Sequence, residues 1–329
     1  MIKNQTTLFV EINKYEFVFA VTNSKENDNF EFIHSIKVPL EGINEFKITD
    51  INLVNKIIKE NIYEIERKSD HIFKEAIIII NNFRLFSITS SGFKKLNGSQ
   101  LGKENIIYIL NSLKSKITEI EKNKTILHIF NSKFFLDNKE IENLPIGLFG
   151  NFYSHELSFF LIDKNDYNNL INIFEKCNLR VKRIISKNFL EGINIINQNI
   201  DTENFFKIEL NNDSTEMFLF ENSALKFVQH FKFGKDLILK DISKIIGVNI
   251  ETVKDILINS NFSNDNLDTE IIEKKFFQNN NFRKIKKKLI HDIAKARIQE
   301  IAEIVIFKNI NILSLLNKNS AIFLRIQDF

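Results

Sequence analysis

Apolar and polar residues alternate from Leu8 to Ile12, from Phe17 to Val21 and from Phe30 to Val38, with short polar turns between them. A period of two puts every second side chain on one face, so the chain is predicted to open as a three-stranded meander. At Asp50 the spacing changes. Leu53, Ile57, Ile58, Ile62 and Ile65 fall on one side of a helix whose first turn the Asp50 carboxylate can cap. KEAIIII and RLFSITS return to strands, and Ala76 to Ile80 is too short for a helix and too apolar for a solvated edge, which predicts an interior strand. A helix from Glu104 to Ile120 then gives way to short strands as far as Ile162. The next helix, Lys164 to Cys177, carries Tyr167, Leu170, Ile171 and Phe174 on one face, with Asp163 placed to cap it. Asn178 stands where a left-handed residue would end that helix.

VKRIIS predicts a strand, NFLEGINII a helix, and FFKIEL, TEMFLF and KFVQHFKF further strands. The longest helical pattern, Phe282 to Phe307, starts with Arg283, Lys284, Lys286, Lys287 and Lys288, and continues in a stripe of Ile293, Ala296, Ile301, Ile304 and Val305. The Asn-rich SNFSNDNLD and FQNNNF are loops. With 329 residues, 43% of them apolar, the chain can build two domains that each have a core. Lysine and arginine number 45 against 42 aspartates and glutamates, so no overall field selects nucleic acid or an anionic membrane, and any charge argument is local. The chain is rich in Ile, Asn, Lys and Phe, as an AT-rich coding sequence would make it, so substitutions towards these residues carry less functional weight.

The single cysteine, Cys177, excludes an intramolecular disulfide and fits a reducing cytoplasm, where it serves as a small apolar group at a helix end. The N-terminus alternates like a strand, unlike a signal peptide, and no run approaches the ~18 apolar residues of a membrane span. The protein is therefore expected to be soluble, or peripheral at most. Six histidines are scattered without metal-ligand spacing, and no Walker loop, G-x-S-x-G or Cys-His neighbourhood occurs, so neither a metal site nor a classical enzyme is expected.

Between Thr125 and Leu257 the order and wording of the elements resemble FtsA, the family of actin-like bacterial division proteins that tether FtsZ filaments to the membrane. LPIGLFG is similar to that family's P-x-G-M-x-G turn, at Pro145, Gly147 and Gly150. FEKCNLRVKRI is similar to V-x-x-C-G-L-x-V, at Cys177, Leu179 and Val181, and FGKDLILKDI to G-G-D-x-I-T-x-D-I, at Gly234, Asp236, Asp241 and Ile242. The resemblance implies an α/β, actin-like two-lobed fold, a duplicated ribonuclease H-like architecture, with a small inserted α+β subdomain. Residues 1–90 would form the first part of the large lobe and 91–163 the insertion. Residues 164–329 would complete the large lobe and form a second lobe that binds nucleotide or partner.

Such folds hold ATP and magnesium between two hairpins resembling D-x-G-T and D-x-G-G-G-T-T-D, whose glycines bring backbone N–H groups up to phosphate. Here the corresponding residues are Glu11, Ile12, Asn13 and Lys14, and then Glu209, Leu210, Asn211, Asn212, Asp213, Ser214, Thr215 and Glu216. Acids and hydroxyls persist, but all four glycines are gone. The A-E-x-x-K pattern that faces the nucleotide sugar is replaced by Val253, Lys254 and Leu257, while A-R-L-E-E survives as Ala296, Arg297, Ile298, Gln299 and Glu300. The implied nucleotide residues, in degenerate form, are Glu11, Asn13, Lys14, Glu209, Asn211, Asn212, Ser214, Thr215, Gly234, Asp236, Arg297 and Glu300. These losses predict weak or absent nucleotide binding and turnover, with ATP and magnesium as cofactors only if family behaviour is retained.

The function implied is a cytoplasmic division scaffold, working at the inner face of the membrane through FtsZ, other division proteins and self-association. Arg283, Lys284, Lys286, Lys287 and Lys288 are the candidate partner surface, with a solvated helix start as the plain alternative. The chain stops before the family's amphipathic membrane helix, so membrane attachment is expected to be indirect, to come from a truncated portion, or to be absent. A type IV pilus scaffold of the same fold and a sugar-kinase-type phosphotransferase are the rival readings. AIFLRIQDF is expected to be a core strand with Ile322 and Leu324 buried, or else to imitate an FtsZ tail through Phe323, Leu324, Arg325 and Gln327.

Overall fold

The computed structural model describes residues 6–24, 30–44, 47–81, 83–199, 202–262, 267–277, 282–313 and 320–326. The chain divides into two compact units. The first is 1–203 with 220–227, and the second is 204–219 with 228–329.

In the first unit the three opening strands form as their alternation requires: β1 Thr6–Ile12, β2 Glu16–Ser24 and β3 Phe30–Pro39, each antiparallel to the next. A short ribbon, β4 Ile43–Asn44 and β5 Lys47–Ile48, leads into α1, Ile51–Ser69, where Asp50 accepts hydrogen bonds from the backbone N–H groups of Asn52 and Leu53. Strand β6, Glu75–Ile80, lies parallel to β1 in the interior of a five-stranded sheet, where its near-continuous apolar run places it.

The chain next builds a separate antiparallel sheet from β7 Phe86–Lys95, helix α2 Lys103–Ile120, β8 Lys124–Leu136, β9 Lys139–Ile141 and β10 Phe152–Asp163, in the order β7-β10-β8-β9. Strands β8 and β10 span 13 and 12 residues, not the short strands expected, because bulges let one long twisted pair absorb residues that break strict alternation. The turn at Pro145 to Leu148 places Gly147 at φ +89°, a conformation that favours glycine.

Helix α3, Lys164–Lys176, is capped by Asp163 and buries Leu170, Ile173 and Phe174 against the five-stranded sheet. It ends on Asn178 at φ +60°, with the Leu179 N–H donating to the Phe174 carbonyl at 3.0 Å. Asn178→Gly should leave stability unchanged or slightly raised, whereas Asn178→Val should cost about 1–2 kcal/mol, read by urea denaturation. β11, Arg180–Ser186, joins the sheet parallel to β6, completing the order β11-β6-β1-β2-β3, and α4, Lys187–Gln198, follows without a loop.

A four-stranded sheet has the order β14-β13-β12-β15, from β12 Phe205–Leu210, β13 Thr215–Glu221, β14 Ala224–Phe231 and β15 Ala321–Ile326, and apart from residues 220–227 it belongs to the second unit. Helices α5 Asp236–Ile246, α6 Ile250–Asn259 and α7 Lys287–Ala302 accompany it, and α7 runs on into a π-helical turn, Glu303–Phe307. The helix expected from Phe282 thus starts at Lys287. Before it, Ile285 and Lys286 are extended, and the Ile285 carbonyl accepts from the Ile272 N–H at 2.9 Å.

The C-terminal strand forms, parallel to β12, with Phe323 edge-on to Phe205 at 5.4 Å between ring centroids. Burial of Ile322 and Leu324 does not follow, since they remain 48% and 53% exposed. β15 is the edge of its sheet, and among the described residues its outer face is left uncovered. Gln327 and parts of both Asn-rich loops, 263–266 and 278–281, lie outside the described residues.

Candidate functional site

Each nucleotide hairpin implied by the resemblance belongs to one unit. In the first unit the β1–β2 turn is closed by the Asn13 N–H donating to the Glu16 carbonyl at 3.1 Å. The Asn13 side chain turns inward: its Oδ1 accepts from the Tyr15 and Glu16 N–H groups, both at 2.9 Å, and its Nδ2 lies 3.4 Å from Glu11 Oε1. Where a glycine would leave backbone N–H groups open to an anion, an asparagine side chain occupies two of them. Lys14 is half-buried in the same turn.

Glu11 is ion-paired with Lys187, the first residue of α4. Several contacts hold that residue in place. The preceding Ser186 N–H donates to His128 Nε2 at 3.1 Å, which requires the neutral ring that burial secures by pushing His128 down to about 4. Asn188 Nδ2 donates to Asn81 Oδ1 at 3.1 Å, and the Asn81 N–H donates to the Ile12 carbonyl at 2.9 Å. Helix start, strand end and hairpin are thereby locked together. A lysine in the first turn of a helix opposes the helix dipole, so its pairing with Glu11 offsets an unfavourable local position.

In the second unit the β12–β13 turn is closed by the Asn211 N–H donating to the Ser214 carbonyl at 2.9 Å, and Thr215 Oγ1 donates to the Phe233 carbonyl at 2.7 Å. Asn211 Nδ2 lies 3.4 Å from Ser214 Oγ. Gly234 keeps a glycine's role. A Cβ there would lie 2.3 Å from the Asn211 carbonyl oxygen and 2.6 Å from that of Asn212. This close approach lets the Lys235 and Asp236 N–H groups, which open α5, donate to those two carbonyls at 2.9 and 2.8 Å. The first amides of a helix are a natural anion site; here two of them are satisfied by the hairpin. Glu209 is paired with Lys207 at 2.8 Å, both almost fully buried, and Lys207 also lies 5.3 Å from the centre of the Phe218 ring.

The remaining predicted residues fall elsewhere in the second unit. Arg297 on α7 bonds Asp241 on α5 and Glu300 one turn along, a bridge between two packed helices, and these partners push the guanidinium further up. Val253 is fully buried in α6. The basic run is divided: Lys287 pairs with Glu270 at 2.6 Å and donates to the Asn261 carbonyl at 3.0 Å, and Lys288 pairs with Asp268 at 2.7 Å. Among the described residues, Arg283, Lys284 and Lys286 are exposed and form no ion pair. The lysines beside the hairpins were not anticipated. Lys207 was legible in principle, standing two residues before Glu209 on one face of an otherwise apolar strand; Lys187 was not, being 176 positions from its partner.

No protein-family model matches the chain. It is similar to the cell division protein FtsA of Buchnera aphidicola subsp. Acyrthosiphon pisum (strain APS), 20% identical over 303 residues that make up 90% of this chain and 71% of that protein. It is likewise similar to FtsA of Neisseria meningitidis serogroup B (strain MC58), 19% identical over 299 residues, 90% of this chain and 72% of that one. Among solved structures, a chain of the PilM-PilN type IV pilus biogenesis complex superposes with a TM-score of 0.55 over 98% of this chain and 81% of its own, at 9% identity. The fold is actin-like. The likeness to FtsA first read from scattered motifs extends along nine-tenths of the chain.

Proposed function

We propose that this protein is a cell-division scaffold of the FtsA type, which acts by holding FtsZ or other division proteins rather than by turning over nucleotide. The observation that carries the reading is the similarity to FtsA over 90% of the chain. The pilus-scaffold reading has a likeness of fold in its support but no likeness of sequence beyond 9% identity, and the phosphotransferase reading would need an open glycine hairpin that neither unit supplies. No helix among the described residues is long and apolar enough to cross a membrane.

The partner surface we favour is the exposed part of the basic run, Arg283, Lys284 and Lys286. Lys287 and Lys288 already have acidic partners within the unit, so they have less charge to offer an incoming chain. An acidic or amphipathic tail such as that of FtsZ would meet the three unpaired cations in solvent, where charge speeds encounter and is screened by salt. Reversing Arg283, Lys284 and Lys286 to glutamate should weaken FtsZ-peptide binding roughly tenfold or more and flatten its salt dependence, with the circular dichroism spectrum unchanged. Equal binding by the folded triple variant would remove this surface from the proposal. No detectable binding of any FtsZ peptide by wild type would remove FtsZ as the partner.

A further inference from the structure

The ligand an actin-like fold implies, ATP with magnesium, does not fit the two hairpins as they stand. Each hairpin places an acid where the fold would set a carboxylate towards the cation's water shell, and each acid already holds a lysine of its own unit: Glu11 with Lys187, and Glu209 with Lys207. Each turn also presents side chain or carbonyl where phosphate would need free N–H groups. Asn13 Oδ1 takes two amides of the first turn, and the carbonyls of Asn211 and Asn212 take the two amides that open α5.

We infer that Lys187 and Lys207 are resident counter-ions, standing where a divalent cation would otherwise neutralise Glu11 and Glu209, and that each hairpin is completed by the chain's own groups without nucleotide. Three features of Lys187 support this assignment. It occupies a helix start where a cation is otherwise disfavoured. The residues on either side of it are pinned, Ser186 by His128 and Asn188 by Asn81. Its partner, Glu11, is also approached by the side chain that fills the turn. Lys207 is 4% exposed, and burying an ammonium is costly unless an anion is fixed beside it, as Glu209 is at 2.8 Å. The consequence is a protein whose folded state does not depend on nucleotide. This holds whether or not the partner is a division protein.

The experiment is made on the full chain by thermal unfolding and calorimetric titration, with magnesium chloride alone, ATP alone, magnesium-ATP and magnesium-ADP. Wild type should shift by less than about 1 °C up to about 1 mM magnesium-ATP, since a ligand that binds the native state tightly raises its melting temperature by mass action. Glu11→Gln, Lys187→Met and the double variant should be non-additive, the double losing fewer degrees than the sum of the singles. Lys187→Met should in addition acquire a magnesium-dependent stabilisation that wild type lacks, because it leaves Glu11 without its lysine. If Lys187→Met fails to fold, Glu11→Gln, which keeps the shape of the side chain, still reports through the wild-type comparison: it should alter neither the magnesium nor the ATP response. A rise of several degrees in wild type at about 0.1 mM magnesium-ATP would overturn the inference, as would strict additivity of the Glu11 and Lys187 substitutions.

Discussion

Lys226→Met should lower the stability of the protein by about 3 kcal/mol, measured by urea denaturation near neutral pH. Lys226 is 4% exposed and meets three groups of the first unit: Glu156 lies 2.8 Å from its ammonium, Glu221 lies 3.0 Å away, and Ser132 Oγ, which itself donates to Glu156 at 2.6 Å, completes the group. Methionine conserves most of the volume but leaves two carboxylates facing each other with no cation between them. Removing one member of such a group costs more than replacing all of it, because an uncompensated charge stays behind. The triple change Lys226→Met, Glu156→Gln, Glu221→Gln should therefore recover much of the loss.

The pH dependence has a definite sign. Burial pushes the Glu156 carboxyl up, but the hydrogen bonds from Lys226 and Ser132 and the lysine's charge outweigh it and hold the group below its ordinary value of 4.5. A carboxyl depressed in the folded state contributes stability that is present above its unfolded value and is lost as pH falls through the folded one. The gap between wild type and Lys226→Met should accordingly be widest near neutrality and narrow below about pH 4.5. A gap independent of pH would show that Lys226 acts through packing of its stem alone.

Gly234→Ala should be nearly as damaging, costing about 2–3 kcal/mol. The added Cβ meets backbone oxygens at 2.3 and 2.6 Å, and those belong to the hairpin turn, which cannot swing aside as a side-chain tip would. Relief requires the β12–β13 turn to part from α5, which breaks the hydrogen bonds from Lys235 and Asp236 to Asn211 and Asn212. Hydrogen exchange should then speed up at Lys235 and Asp236 ahead of the rest of the second unit. Stability within a few tenths of a kcal/mol of wild type would mean the turn is less tightly joined to the helix than these distances indicate. Gly192→Ala is a useful contrast, because there the obstacle is the end of the Phe220 ring, a side chain.

The sequence by itself determined the elements and much of their order. Period-two alternation gave the opening meander, the apolar run at Ala76 to Ile80 gave an interior strand, and Asp50, Asp163 and Asn178 marked helix ends that the structure keeps. These signals are local: a cap, a periodicity or a left-handed residue acts within four positions of itself, so one chain suffices to read it. The collinear motifs added the family likeness and the fold. What only the tertiary structure decided is where charges meet and which faces are covered. Lys187 finds Glu11 across 176 positions and Lys226 finds Glu156 across 70, pairings that no periodicity encodes because they depend on how separate elements pack. The basic run read as a helix start because an apolar stripe at helical spacing, from Ile293 to Val305, follows it, yet the pairing of Ile271 with Lys286 and the Ile272 to Ile285 hydrogen bond hold the residues just before Lys287 out of the helix. Ile322 and Leu324 read as core because they are apolar; a strand's sequence does not state whether anything lies against its outer face, and β15, at the edge of its sheet, leaves both half-exposed.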